Sequence, residues 1–137
     1  MDLVLTASLP TEQEYLKLFK TTGWNKDYNL TSEELFKSIQ NSSYCVSAYD
    51  EDKLVGFGRM LSDGVAHAVL FDVIVLPEFQ GESIGRKITE KLLEVCRSNN
   101  IRDIQLFCAI GKIGFYEKLG FKKRSDECPG MEIIIRY

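Results

Sequence analysis

Hydrophobic and polar residues alternate along several segments of the chain with the two-residue period of half-buried strands. These segments end at prolines or at polar turns. A proline ends a strand because it cannot donate a backbone hydrogen bond to the neighbouring strand. The charged turn at residues 50–53 joins two of them and predicts a hairpin. The predicted strands are residues 3–8, 44–49, 54–61, 65–76, 101–109, 121–124 and 131–137.

Four other segments carry hydrophobic residues at helical spacing. Thr11 precedes the first, with Glu14 at the capping-box position, and Thr31 or Ser32 precedes the second. The third has apolar residues every three or four positions, which is the pattern of a helix packed on a sheet. The predicted helices are residues 11–23, 32–39, 84–97 and 111–119.

The strand 65–76, the helix 84–97 and the strand 101–109 follow one another directly. A connection of this kind normally makes a right-handed crossover between parallel strands. Together with the antiparallel hairpin this predicts a mixed sheet in an α/β (α+β) fold. We expect a single domain over residues 1–137, because no composition break divides the chain.

The net charge of the chain argues against some classes of binding partner. The net charge is −3, and the chain has neither a basic run nor a basic amphipathic helix. Nucleic acid and anionic membrane surfaces are therefore not expected as partners. No apolar run approaches the ~20 residues of a spanning helix. An acidic surface favours a cationic substrate.

The cysteines and the single histidine form no metal-ligand pattern. Cys45, Cys96, Cys108 and Cys128 are scattered without Cys-x-x-Cys spacing, and the N-terminus lacks the basic and apolar regions of a signal peptide. We therefore expect free thiols in a reducing cytoplasm. No metal site is expected at His67, and a part for it in an acid–base relay stays open.

Residues 71–86 are the most informative stretch of the chain. A buried-looking strand stops at Pro77, a glycine-framed turn follows, and a helix begins at Ile84. The unpaired amides of the turn and the positive end of the helix dipole would converge on one point. This arrangement predicts a site for an anionic ligand. Neither a P-loop nor a dinucleotide fingerprint is present.

The stretch VLPEFQGESIGRKITEKLL resembles motif A of the GCN5-related N-acetyltransferase (GNAT) family, written Gln/Arg-x-x-Gly-x-Gly/Ala. Gln80, Ser83 and Gly85 occupy its three defining positions, with Ser83 in place of the usual glycine. GFYEKLGF, residues 114–121, is similar to the family's motif B. The pattern is closest to short arylalkylamine and serotonin N-acetyltransferase-like members.

The resemblance implies a GNAT fold, with a mixed central sheet of about six to seven strands that includes two splayed parallel strands, β4 and β5 of that fold, and about four helices. It implies acetyl-CoA as co-substrate, with the pantetheine arm along one splayed strand. The amide expected to polarise the thioester carbonyl is that of Ile74 or Val75. The implied coenzyme-binding residues are Val73, Ile74, Val75, Gln80, Gly81, Glu82, Ser83, Ile84, Gly85, Arg86 and Tyr116.

Tyr116 is the residue that the resemblance places next to the coenzyme sulfur. A tyrosine hydroxyl there can protonate the leaving thiolate as a general acid. The alternative is that Phe115 and Tyr116 only anchor a short helix in the core. The family often has Asn and Ala where this chain has Ala109 and Lys112, so one usual contact with the coenzyme is missing.

Asp72 interrupts a largely apolar strand and therefore needs a partner. On strict alternation it shares a face with Leu70 and Ile74, but a β-bulge would change that face. The carboxylate can accept a proton from the amine through water, bind the amine directly, or serve only the structure. We list it with Tyr116 as a catalytic residue.

Trp24 and Tyr28 are the expected acceptor-binding residues, since they lie where the family closes over its acceptor. They can stack on an aryl ring, cradle a cation or pack their own loop. The predicted function is acetyl transfer to a primary amine of a small molecule. The alternatives are a protein or peptide amine as acceptor and an acyl-CoA-binding module without catalysis. The resemblance also favours a homodimer through an exposed C-terminal strand.

Overall fold

A computed structural model describes residues 1–137 and contains one five-stranded sheet, ordered β1-β2-β3-β4-β5. The first four strands pair antiparallel in succession, whereas β4 and β5 pair parallel. The predicted mixed α/β architecture and its parallel pair are confirmed. The strands are β1 (Leu3–Thr6), β2 (Tyr44–Asp50), β3 (Lys53–Ser62), β4 (His67–Val75) and β5 (Asp103–Leu106).

Four α-helices lie between these strands and a fifth follows β5. They are α1 (Glu12–Phe19), α2 (Asn25–Tyr28), α3 (Ser32–Gln40), α4 (Ile84–Ser98) and α5 (Ile113–Glu117). Thr11 and Thr31 form the capping boxes at the starts of α1 and α3. All five helices, including the 15-residue α4, fall short of the length and apolar character of a membrane span.

The short helix α2 lies in the segment between the first two predicted helices, where we expected a loop. The Asn25 side chain closes this turn on itself, because its amide donates to the Leu30 carbonyl at 2.9 Å and its oxygen accepts from the Leu30 amide at 3.0 Å. Asn29 ends the helix in the left-handed region, which asparagine tolerates. The turn therefore has a fixed shape.

The core lies on both faces of the sheet. Helix α4 covers one face with Ile88 and Leu92, which are fully buried, and α1 and α3 cover the other with Tyr15 and Ile39. Gly58 on β3 lets α4 approach closely, because a Cβ atom there would lie 2.6 Å from Cγ2 of Ile88. Helix α4 therefore packs closely against β3 at Gly58.

Residues 121–137 form no strand, so the sheet has five strands instead of the six to seven that we expected. Met131, Ile133 and Ile135 alternate as a strand would, but their side chains are exposed. The one backbone hydrogen bond within residues 122–137 joins Cys128 to Ser125. Alternation alone does not make a strand, because the stability of a sheet comes from pairing across strands.

Candidate active site

Strands β4 and β5, at one side of the sheet, separate partway along β4. Their parallel pairing runs from His67–Asp103 to Leu70–Leu106 and stops there, because β5 ends at Leu106. Strand β4 continues to Val75, still paired with β3 on its other side. Residues 71–75 therefore present an open strand edge.

Two of the three strand residues expected to contact the coenzyme direct their amides to this open edge. The Leu76 amide donates to the Val55 carbonyl on β3 at 2.9 Å. Because amide directions alternate along a strand, the amides of Val75 and Val73 point away from β3, and that of Ile74 points toward it. The open edge thus offers free donors at Val73 and Val75.

A β-bulge lies in β4 beside these donors. The cross-strand pairs Phe57–Ile74 and Arg59–Phe71 flank it. Between these pairs β3 has one residue, whereas β4 has two, residues 72–73. The extra residue is left unpaired and re-aims the side chains around it.

The bulge changes the face on which Asp72 lies. Asp72 has φ +54°, in the left-handed region, and its side chain lies on the same face as that of Arg59. Strict alternation placed Asp72 with Leu70, but Leu70 pairs with Met60, the neighbour of Arg59 on the opposite face. That expectation was wrong for Leu70, for the reason that a bulge adds one residue to the period.

Arg59 supplies the partner that the Asp72 carboxylate needs. Its Nε donates to Asp72 Oδ2 at 2.7 Å, and the two side chains are 15% and 17% exposed. The guanidinium also donates through Nη1 to the Ser38 carbonyl at 3.3 Å and to Ser42 Oγ at 3.4 Å. The ion pair is therefore held from both the sheet and α3.

Tyr15 on α1 is a part of this site that the sequence reasoning missed. It is fully buried, and its hydroxyl has no hydrogen-bond partner. Burial raises the pKa of this hydroxyl far above its usual range, and the negative charge of Asp72 raises it further. Helical spacing marks Tyr15 only as a core residue, so no signal in the sequence connects it with Asp72.

The turn after β4 has the backbone shape that an anion cradle needs. Gly81 has φ +88° and Ser83 has φ +65°, both in the left-handed region. Ser83 is the N-cap of α4, and its side chain makes no capping hydrogen bond. The first amides of the 15-residue α4 are consequently free to bind an anion.

Among the predicted cradle residues, Gln80 ties the turn to the strand, because its Nε2 donates to the Val75 carbonyl at 3.2 Å. The Ile84 side chain is buried, so this residue offers only its amide. Gly85 packs against α5, where a Cβ would lie 3.7 Å from the Phe115 ring. Glu82 and Arg86 are exposed, and Arg86 lies 3.7 Å from Glu90.

A pocket of about 250 Å³ adjoins the open edge. It brings together five of the predicted site residues, Trp24, Tyr28, Asp72, Val73 and Tyr116. Its walls also include Phe71, Phe107 and Asp27, which the sequence reasoning did not single out. The pocket therefore combines aromatic walls with two carboxylates.

Trp24 packs its own loop and also lines the pocket. Its ring packs edge-on against Phe19 at 6.1 Å between centroids, which fixes the loop to α1. The same ring is 38% exposed and lines the pocket. Tyr28, one turn later on α2, is half-exposed at the rim.

Tyr116 on α5 also lines the pocket. Its ring packs edge-to-face on Phe115 at 4.9 Å and on Phe121 at 5.8 Å, so its position is fixed by aromatic contacts. Burial raises the pKa of its hydroxyl, and the electrostatic effect of Cys108 acts in the same direction. The hydroxyl therefore keeps its proton at neutral pH.

His67 lies away from this pocket. It is exposed at the first residue of β4, where its Nδ1 lies 3.1 Å from Asp103 Oδ2. No group of three or more His, Cys, Asp or Glu residues is arranged to hold a metal ion.

Comparisons with known proteins agree with this geometry. Residues 11–121 match the family described as acetyltransferase (GNAT) family. The chain is 34% identical over 122 residues to the "uncharacterized N-acetyltransferase ycf52" of Pyropia yezoensis, covering 86% of this chain and 68% of that protein.

Two further relatives match a shorter region. The chloroplastic serotonin N-acetyltransferase 2 of Oryza sativa subsp. japonica is 39% identical over 56% of this chain and 38% of that protein. The histone acetyltransferase TAP1 of Glycine max is 33% identical over 60% of this chain and 36% of that protein. The chain thus spans less than half the length of these two relatives.

Among solved structures, the GNAT family acetyltransferase SP0256 of Streptococcus pneumoniae superposes with a TM-score of 0.82. It shares 27% sequence identity and covers 98% of this chain and 99% of its own. The likeness therefore extends over nearly the whole chain.

Proposed function

Because the chain belongs to the acetyltransferase (GNAT) family, we propose that it transfers the acetyl group of acetyl-CoA to a primary amine of a small molecule. Membership confirms the expected class of enzyme, an N-acetyltransferase. One observation carries the rest of the proposal: the open edge of β4 leads from the anion cradle at residues 80–86 into the pocket that holds Tyr116.

The cradle is assigned to the pyrophosphate of acetyl-CoA. Free amides at the turn and at the start of α4 suit a doubly charged anion, and the helix dipole adds to their attraction. Arg86 is exposed and bound only to Glu90 at 3.7 Å, so its guanidinium can turn toward a phosphate. Gln80 holds the turn against Val75.

The open edge of β4 is assigned to the pantetheine arm and the thioester. The amides of Val73 and Val75 face this edge, and either can donate to the thioester carbonyl as it gains negative charge. We favour Val73, because it also lines the pocket where the amine must arrive. Ile74 takes part through packing, since its amide faces β3.

The reaction needs a neutral amine and a protonated leaving group. The amine nitrogen attacks the carbonyl carbon, a C–N bond forms, and the C–S bond breaks. Tyr116 gives its hydroxyl proton to the departing thiolate, and the surplus proton of the amine passes to water. The Asp72 carboxylate lines the pocket and binds an N–H of the amine.

The acceptor is proposed to be a small amine with an aromatic ring. The pocket volume of about 250 Å³ and the rings of Trp24, Tyr28 and Phe107 suit a flat group of this size. Asp27 at the same rim suits its positive charge. The relative named serotonin N-acetyltransferase 2 supports the same class of acceptor.

A second candidate is a lysine side chain of a protein or peptide. The half-exposed rim at Tyr28 and the relative named histone acetyltransferase TAP1 favour it. The third candidate, acetyl-CoA binding without catalysis, follows from Ser83, Ala109 and Lys112, where the chain departs from the family pattern.

The test is an amine panel assayed by release of free thiol from acetyl-CoA. The panel contains arylalkylamines, polyamines, amino sugars and a lysine peptide. Highest kcat/KM for the arylalkylamines supports the proposal, whereas highest kcat/KM for the peptide supports the second candidate. Acetyl-CoA binding without turnover of any amine supports the third.

We also propose a homodimer in a reducing, cytoplasmic setting. The outer edge of β5 is unpaired, and the apolar residues Met131, Ile133 and Ile135 are exposed, so a second copy would cover surface that is costly to leave in water. Sedimentation equilibrium tests the dimer. The name of the rice relative includes "chloroplastic", so fluorescent tagging should compare cytoplasm with plastid.

A further inference from the structure

We propose that Arg59 and Tyr15 are positioning residues for acetyl transfer, which hold the Asp72 carboxylate and, through it, the bulge that directs the Val73 amide to the open edge of β4. This inference rests on the proposed function. It goes further by assigning a role to two residues outside the coenzyme motifs.

We call the ion pair of Arg59 and Asp72, together with Tyr15, the brace. The bulge needs this brace because its backbone is strained. Asp72 has φ +54°, a conformation that residues other than glycine adopt at a cost. Strain of this kind persists only where the surroundings hold it in place. Here the ion pair with Arg59, at 2.7 Å, joins the bulged residue of β4 to its neighbour strand β3.

The brace itself is anchored on several sides. The Arg59 guanidinium donates to the Ser38 carbonyl and to Ser42 Oγ, and it lies 5.6 Å from the centre of the Phe71 ring. Both members of the ion pair are mostly buried. Removing one member of such a pair leaves an uncompensated charge, so the carboxylate would leave its position.

Tyr15 adds a donor beside the same carboxylate. Its hydroxyl is fully buried and unpartnered, which costs stability that a phenylalanine would not. The Tyr15 ring packs edge-on against Phe57 at 5.1 Å between centroids, and Phe57 lies two residues before Arg59 on the same face of β3. The hydroxyl is therefore a free donor on the face of the sheet that carries Arg59 and Asp72.

The brace positions residues of the acceptor pocket and does not contact the coenzyme cradle at residues 80–86. Val73 and Asp72 both line the acceptor pocket, whereas the turn at residues 80–86 is held by Gln80 and α4. Loss of the brace should therefore lower kcat and raise KM for the amine. The Kd of acetyl-CoA should change much less than kcat, since the pyrophosphate cradle keeps its contacts and only the contact with the Val73 amide is displaced.

The test compares Arg59→Met and Tyr15→Phe with the exposed control variants Arg97→Met and Tyr137→Phe. Arg59→Met should lower kcat about 100-fold, the effect of a misplaced reacting group. Tyr15→Phe should lower kcat about tenfold, the worth of one hydrogen bond to a charged group, with an equal or higher melting temperature. The two controls should keep wild-type kcat.

A double-mutant cycle separates positioning from simple stabilisation. Arg59→Met combined with Asp72→Asn should be no slower than the slower single variant, because both remove the same brace. If the two losses multiply, or if folded Arg59→Met keeps wild-type kcat, the inference is overturned. The same holds if Tyr15→Phe gains stability without loss of kcat.

One measurement does not depend on the proposed function. The amide NMR signals of residues 72–74 should move in Arg59→Met and stay in place in Arg97→Met. If no amine in the panel is acetylated and these signals move, the proposed function fails while the brace stands. If the signals do not move, the brace is refuted whatever the activity.

Discussion

The side-chain amide of Gln80 donates a hydrogen bond to the main-chain carbonyl of Val75 across 3.2 Å. This contact joins the first residue of the glycine turn to the last residue of β4. Within a strand, a residue's N–H and C=O point to the same side, so the contact lies on the open edge that carries the Val75 amide. Gln80 therefore fixes the angle between the pyrophosphate cradle and the strand edge.

Replacing Gln80 by alanine should weaken the binding of acetyl-CoA. The lost hydrogen bond contributes about 1 kcal/mol, which corresponds to about a fivefold rise in Kd. Isothermal titration calorimetry measures this directly. The exposed Gln13→Ala on α1 is the control and should bind as the wild type does. Equal Kd values for the two variants would show that the contact does not shape the cradle.

Replacing Ser83 by glycine should stabilise the protein by about 0.5–1 kcal/mol, because Ser83 has φ +65° and glycine adopts that conformation without steric cost. Acetyl-CoA should also bind more tightly, since the backbone can then approach the pyrophosphate. Urea denaturation and calorimetry measure the two effects.

The control for this change is Ser83→Ala, which removes the hydroxyl and keeps the left-handed strain. It should show neither gain. If both variants bind acetyl-CoA more weakly than the wild type, the Ser83 hydroxyl donates to a phosphate, and the strain at this residue is tolerated for that contact.

If Tyr116 is the general acid, loss of its proton should not lower kcat/KM at moderately alkaline pH. Its pKa is raised above the usual 10 by burial and by Cys108. The protonated form is thus fully present below that pH and is lost only above it. The profile of kcat/KM should rise as the amine loses its proton and stay level to about pH 10. A falling limb centred below pH 9 would contradict this assignment.

Tyr116→Phe should lower kcat by about 10²-fold to 10⁴-fold, the usual worth of a positioned acid, while KM for acetyl-CoA stays nearly constant. Tyr137→Phe is the matched control, because that side chain is fully exposed. A Tyr116→Phe enzyme with wild-type turnover and an unchanged pH profile would leave the tyrosine with its packing role alone.

The periodicity of the sequence predicted the elements that carry the site. Capping boxes at Thr11 and Thr31, the hairpin at residues 50–53 and the crossover around α4 are local patterns, and all are present. The glycine turn was also foreseeable, since its residue types follow from its backbone. These features depend on residues close together in the chain.

The features that the sequence did not reveal depend on distant residues. Tyr15, Arg59 and Asp72 come from three elements and meet only when α1 packs on the sheet. The pattern of hydrophobic and polar residues does not reveal a β-bulge, because the extra, unpaired residue can be of any type. Residues 131–137 alternate between hydrophobic and polar side chains as a strand would, but no other strand pairs with them. Hydrophobic alternation does not show whether a pairing strand is present.

Gly58 joins the bulge to the coenzyme site, and its replacement by alanine tests that connection. It is the single β3 residue opposite residues 72–73, and an added Cβ would lie 2.6 Å from Cγ2 of Ile88 on α4. The helix must move away or the strand must bend, so Gly58→Ala should lower the free energy of unfolding by about 1–3 kcal/mol.

The matched control is Gly114→Ala on α5, because a Cβ there meets no atom within 4 Å. It should raise the free energy of unfolding by about 0.5–1 kcal/mol, the helix propensity of alanine over glycine. Since α4 begins at the cradle, its displacement in Gly58→Ala should also weaken acetyl-CoA binding. Loss of stability with unchanged Kd would mean that α4 holds its start in place while β3 absorbs the added methyl group.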